Sequence, residues 1–136
     1  MRINRVLFAL ALILFAITLY RYSSGAWYTV GYRTGLLSLD RLPEHMQDWL
    51  PATPLWQDAI YLGGYFGTLA SIVLLVMRRS IVVWVYLIAG GLGRLDWALL
   101  PFSPAPMALF LGWTAFLQYA VLVGLMVALN RRGFFR

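Results

Sequence analysis

The sequence has no cysteine, no lysine and a single histidine, His45. Without cysteine there are no disulfides, no thiol redox chemistry and no cysteine-ligated metal. One histidine excludes two-histidine haem ligation and histidine-rich metal sites, and no serine has a histidine in its own apolar segment to activate it. Without lysine there is no phosphate-binding loop, and Gly91-Leu92-Gly93 lacks the third glycine of a nucleotide loop. Charge is scarce too: 12% of residues are charged and five are acidic, against 62% hydrophobic. A water-soluble fold cannot hide that much apolar surface, so the chain falls outside the soluble class.

Apolar sequence is concentrated in four runs, 6–22, 55–77, 81–100 and 106–129. Each is close to the ~20 residues that span ~30 Å of hydrocarbon as a helix. A chain in lipid must satisfy its own backbone hydrogen bonds, which predicts an all-α fold: one domain, an integral membrane four-helix bundle.

All eleven basic residues are arginine, and their positions account for the net charge of +6. Arg2 and Arg5 precede the first run, Arg78 and Arg79 separate the second from the third, and Arg131, Arg132 and Arg136 follow the fourth. Those places fall on one side of a four-crossing protein, while Arg21, Arg33 and Arg41 on the other are diluted by Asp40, Glu44 and Asp48. The positive-inside rule then puts both termini in the cytoplasm, with a bacterial inner (plasma) membrane as the expected location. The arginines read as topology signals rather than as an anionic-lipid or nucleic-acid site, so no nucleic-acid partner is expected. Arg2, Arg5, the first run and Ser24-Gly25-Ala26 together also imitate a signal peptide. Retention is the expectation, and cleavage would leave three spans starting at Trp27.

The connection 23–54 is the one long loop, and loops of that length usually contain ordered structure. Leu42, Met46, Trp49 and Leu50 recur at helical spacing between Pro43 and Pro51, which predicts a short interfacial helix over 43–50 on the outer surface. Before it, Gly25, Gly31 and Gly35 punctuate an aromatic stretch with Trp27, Tyr28 and Tyr32, read as a β-like turn or an irregular cap. Trp27, Trp49, Trp56, Trp97 and Trp113 fall at the outer boundary and Trp84 at the inner one. The turn Arg78-Arg79-Ser80 is so short that the spans around it must form an antiparallel hairpin. Small residues repeat every fourth position as Gly63, Gly67 and Ser71, as Ala89 and Gly93, and as Ala120, Gly124 and Ala128, marking helix-packing stripes within one chain or between two.

Against this background Arg94 and Asp96 stand out, because ionisable groups inside an apolar span are costly. A rise of ~1.5 Å per residue places Arg94 ~20 Å and Asp96 ~22 Å above the cytoplasmic end, with Gln118, Thr18 and Tyr20 at similar depths and Asp58 somewhat higher. Two positions apart on a helix, Arg94 and Asp96 point in nearly opposite directions and each needs its own partner. The nearest carboxylate for Arg94 is Asp58, with Gln118 as a neutral alternative, while Asp96 is left to face the outer interface beside Trp97 or an arginine of the loop. One reading of the layer is an Arg94–Asp58 pair that sets the hairpin register. Others are a polar pocket for a small anionic or polyhydroxyl ligand, or a contact with another membrane protein. Asp58 and Asp96 lack the Gly-x-Gly-Asp pattern of intramembrane aspartyl proteases, since Gly93-Arg94-Leu95 precedes Asp96.

From residue 50 to about 88, Pro54-Leu55-Trp56, the glycine-rich 62–67 and Leu74-Leu75 leading into Arg78-Arg79 resemble a group of small, uncharacterised bacterial four-helix membrane proteins. Automatic annotation often labels that group sugar transporters, and the resemblance implies membrane location and fold. The first span, the aromatic loop, Arg94 and Asp96 depart from it. The sequence therefore predicts a non-enzymatic membrane protein without metal or cofactor, surrounded by lipid and binding a small ligand or partner at its outer polar layer. The alternatives are an accessory subunit of a larger membrane complex, or a small transporter. Four helices offer little for alternating access unless they form a homo-oligomer.

Overall fold

The computed structural model describes residues 1–99 and 106–136, with side chains described from 112 onward in the second segment. Every regular element among the described residues is helical: α1 (Arg2–Arg33), a 3-10 turn at Leu39–Arg41, α2 (Glu44–Gln47), α3 (Leu55–Val76), α4 (Val82–Ala98) and α5 (Pro106–Arg131). Three helices are long and apolar enough to cross a membrane: α1, α3 and the Gly112–Arg131 portion of α5. Only 17%, 22% and 22% of their respective apolar windows is buried inside the chain. Most of that surface faces outward, which is costly in water and natural against lipid, and marks a membrane protein. The fourth long helix, α4, ends at Ala98, and the expected end of its span at Leu100 lies outside the described residues.

The first span departs most from expectation. It does not stop near residue 22 but continues as one helix to Arg33, through the stretch expected as a β-like turn or irregular cap. Gly25 and Gly31 act there as places of close approach rather than as breakers: the Tyr61 side chain occupies the space a Gly25 Cβ would take, and Leu37 does the same at Gly31. The inward face repeats at three- and four-residue steps through Ala11, Phe15, Thr18, Tyr22, Ala26 and Thr29, with Tyr22 half-buried and the others buried. Gly35, at φ 77°, ends the helix in the left-handed region that favours glycine. At 32 residues α1 is about 48 Å long, well beyond the ~30 Å hydrocarbon thickness.

This overhang organises the shortened loop that follows it. The helix expected over 43–50 is a single turn, Glu44–Gln47, and residues 48–50 after it continue in turns. Leu42, Met46 and Leu50 are buried against Tyr28, Tyr32 and Trp49. The segment is therefore a cap seated on the end of α1, with its apolar spacing satisfied by protein.

Below the cap, α1 packs on α3 and α5, and α4 packs on the same two helices. The α3–α4 hairpin is the closest pairing. A Cβ on Gly64 would lie 3.1 Å from both the Ala89 carbonyl oxygen and the Gly93 nitrogen, and one on Gly67 would lie 2.5 Å from the Ala89 Cβ. Gly67, Ala89 and Gly93 thus form the packing stripe expected of them, with Gly64 tighter than the predicted Gly63, which only meets Leu92 at 3.7 Å. Ser71 is buried and donates to the Gly67 carbonyl (2.7 Å). In α5 the predicted stripe is different: Ala120 and Gly124 are exposed, Ala128 is half-buried, and nothing lies within 4 Å of a Gly124 Cβ.

At the other end the α3–α4 turn is bound to the C-terminal residues. The Arg136 N–H donates to the Arg78 carbonyl (2.7 Å), and the Ser80 N–H donates to the Arg136 carbonyl (3.1 Å). The Arg78 guanidinium lies over the Phe134 ring, 4.8 Å from its centroid. Phe15, Leu75, Tyr86, Leu122 and Met126 fill the core between this latch and the polar layer.

Candidate functional site

The polar residues of the four long helices converge on two adjoining cavities. The first, about 190 Å³, is walled by Thr18, Arg21 and Tyr22 of α1, Tyr61 of α3, Gly93, Arg94, Asp96 and Trp97 of α4, and Ala115, Phe116 and Gln118 of α5. The second, about 310 Å³, lies between α1, the cap and the start of α3, and includes Tyr28, His45, Trp49 and Asp58. Arg21, Tyr61, Asp96 and Trp97 line both.

α1 can contribute because it remains helical. Thr18 and Tyr22 are one turn apart on its inward face, whereas Tyr20, expected in the layer, is 84% exposed. The Tyr22 and Tyr61 rings stack with centroids 4.9 Å apart, and the Tyr61 hydroxyl donates to the Tyr22 carbonyl (3.0 Å). The Tyr22 hydroxyl is buried without a hydrogen-bond partner. It packs over Gly93, where any side chain would collide with it.

The expected Arg94–Asp58 pair is not formed, and the two groups have different partners. Asp58 accepts from Arg33 Nε at 2.5 Å, the ion pair among the described residues, and the Arg33 Nη2 also donates to the carbonyls of Leu50 (2.9 Å) and Thr53 (2.5 Å). Arg33 therefore ties the end of α1, the cap and the first turn of α3 together. Sequence reasoning missed it because it ended the first helix too early. The 18, 22, 26, 29, 33 spacing that brings Arg33 onto the inward face is nevertheless legible once the helix is extended.

Arg94 turns toward α5. Its Nη2 donates to the Ala115 carbonyl (2.7 Å), its guanidinium carbon is 5.3 Å from the Tyr119 ring centroid, and its Nε is buried without a partner. The Tyr119 ring packs over Gly90, where a Cβ would collide with it. Gln118, the expected neutral alternative for Arg94, instead crosses to α1: its Nε2 donates to Thr18 Oγ1 (2.8 Å) and to the Leu14 carbonyl (3.0 Å). Its Oε1 accepts from Arg21 Nη1 at 3.5 Å. Asp96 does not pair with a loop arginine. It lies where the two cavities meet, beside Trp97, and its backbone carbonyl accepts from Gln57 Nε2 (3.3 Å).

The layer is thus an opposed pair of charges, Arg94 and Asp96, on two flanks of α4 and in one cavity, with no salt bridge to each other. In the same wall Trp97 packs edge-on against Phe116 with centroids 5.8 Å apart. Of the tryptophans expected at the outer boundary, Trp27, Trp56 and Trp113 are exposed, while Trp49 and Trp97 turn toward the cavities. Among the described residues no three histidine, aspartate or glutamate side chains come together as a metal site.

Comparison with protein-family models, curated proteins and solved structures finds no match. These comparisons bear neither way on the resemblance noted for residues 50–88.

Proposed function

We propose that the chain is a non-enzymatic integral membrane protein of four spanning helices, both termini cytoplasmic, whose outer-half cavity binds a small polar ligand. The observation that carries the reading is that Arg94 and Asp96, with Arg21, line one cavity of about 190 Å³ walled by all four long helices, while neither Arg94 nor Asp96 forms a salt bridge among the described residues. Intramembrane ionisable groups that do not neutralise each other are costly to keep and mark functional positions. With 17 residues α4 rises about 26 Å, short of the hydrocarbon thickness by an amount a bilayer accommodates through modest thinning. Arg136 beside the Arg78 turn gathers basic residues at one end of the molecule, which supports the cytoplasmic placement of that end. The resemblance over residues 50–88 agrees with this architecture and supplies no substrate.

Native mass spectrometry of gently extracted full-length protein tests the reading. A small-molecule adduct is expected on the wild type and absent from Arg94→Ala of unchanged fold; no adduct on either overturns it. A second reading, an accessory subunit of a larger membrane complex, is favoured by the uncovered Ala120 and Gly124 face of α5. Co-purification with a large assembly supports that alternative. A small transporter acting as an oligomer requires uptake into vesicles that disappears with Arg94→Ala.

A further inference from the structure

Resting on the ligand-binding reading, we infer that the cavity takes a small zwitterion, with an ammonium group on Asp96 and a carboxylate or phosphate on Arg94. Three ligand classes fit a polar cavity of this size, and the charges choose between them. A polyhydroxyl molecule would hydrogen-bond the walls yet leave both charges uncompensated in a poorly solvated site. A simple anion would answer Arg94 and leave Asp96 as a buried carboxylate facing added negative charge. A zwitterion answers Arg94 and Asp96 at once and carries no net charge into the membrane; Arg21, the third charged residue of the wall, is exposed and donates to Gln118 Oε1 (3.5 Å).

The surroundings of each charge point the same way. At Arg94 one guanidinium nitrogen already serves the Ala115 carbonyl, while Nε remains buried and unpartnered, as does the Tyr22 hydroxyl in the same cavity. Two unused polar groups beside a guanidinium suit the oxygens of a carboxylate or phosphate. Asp96 shares the cavity wall with Trp97, Tyr61 and Phe116. A wall that holds both aromatic rings and a carboxylate suits a desolvated ammonium group. Arg94 and Asp96 are two positions apart on α4 and so project from opposite flanks, which holds the two charges apart instead of letting them collapse onto each other. The space of about 190 Å³ corresponds to roughly six waters. That fits a small amino acid or a phosphoethanolamine headgroup, which share the ammonium-plus-anion chemistry and differ in arriving from water or from the bilayer.

The test uses full-length protein in a neutral maltoside detergent, with thermal unfolding and calorimetric binding as readouts. Glycine, glycerophosphoethanolamine and phosphatidylethanolamine are the zwitterionic probes, each without net charge at neutral pH; acetate, ethylammonium and glycerol each carry one part of the chemistry. At least one zwitterion should raise the Tm saturably and bind at least about tenfold tighter than any single-charge or uncharged probe, one lost charge contact being worth that much. Binding by glycine or glycerophosphoethanolamine identifies a soluble ligand. Binding by phosphatidylethanolamine alone identifies a lipid headgroup. Asp96→Asn, a near-isosteric change, should weaken the ammonium-bearing probes while leaving acetate binding unchanged, and Arg94→Gln should do the reverse with ethylammonium. If acetate or glycerol binds as tightly as every zwitterion, the zwitterion assignment falls and ligand binding stands. If no probe binds the folded wild type, both fall.

Discussion

Arg33 and Arg94 have the same side chain and opposite circumstances. Arg33 uses a planar fork of donors on one carboxylate and two carbonyls, geometry that a lysine ammonium cannot reproduce. Arg33→Ala is expected to cost about 3 kcal/mol, the lower end for breaking a buried pair because Arg33 retains some exposure, and Arg33→Lys to recover only part of it. Unfolding of the purified protein in detergent reads both, and equal stability of Arg33→Ala and wild type would remove the clamp from the account. Gly64 and Gly124 make a second contrast. A methyl group on Gly64 would press on backbone atoms that cannot rotate away, so Gly64→Ala should destabilise by about 1–3 kcal/mol. Gly124→Ala meets open space and should leave the monomer's Tm unchanged or raised.

At the scale of elements, the chain fastens both ends of the α3–α4 hairpin to other parts of the molecule. At the capped end Arg33 and the Leu42, Met46 and Leu50 cluster connect α1 to α3. At the other end the Arg136 backbone bridges Arg78 and Ser80. Removing residues 134–136 takes away these two hydrogen bonds and the Arg78–Phe134 contact. The truncated protein should have a lower Tm and faster proteolysis at the hairpin turn, whereas identical digestion kinetics would show that the latch does not hold the turn. Glycine spacing at 25, 31 and 35 suggested a broken chain. Two of these positions instead lie under Tyr61 and Leu37 inside a continuous helix, and only Gly35 is a stop. A glycine needed for close approach and one needed for a turn look the same until a neighbour is placed over it.

For the whole molecule, the absence of cysteine makes topology directly measurable. Single substitutions Arg5→Cys, Glu44→Cys and Arg132→Cys fall at exposed positions. In intact cells a membrane-impermeant maleimide should label only Glu44→Cys, with the other two reacting after lysis. Labelling of Arg132→Cys but not Glu44→Cys in intact cells would invert the proposed orientation. The exposed α5 face makes a further whole-molecule prediction. If it seats a second subunit, Gly124→Leu should dissociate that assembly at unchanged secondary structure, and an unchanged native mass would leave this face to lipid.

The sequence by itself determined the helical class and the apolar segments, because hydrocarbon-length runs and the need for internal backbone hydrogen bonding are properties of local chain. It also singled out Asp58, Arg94, Asp96 and Gln118 as polar groups in apolar surroundings. Only the tertiary structure decided their partners: Asp58 to Arg33, Gln118 to Thr18, Arg94 to the Ala115 carbonyl, and Asp96 to the meeting point of two cavities. The physical reason is that a helix fixes the direction of a side chain, while its partner depends on how far the neighbouring helix extends and how it is rotated. Here the length of α1 made that choice, bringing Arg33 into a place where the sequence had suggested loop.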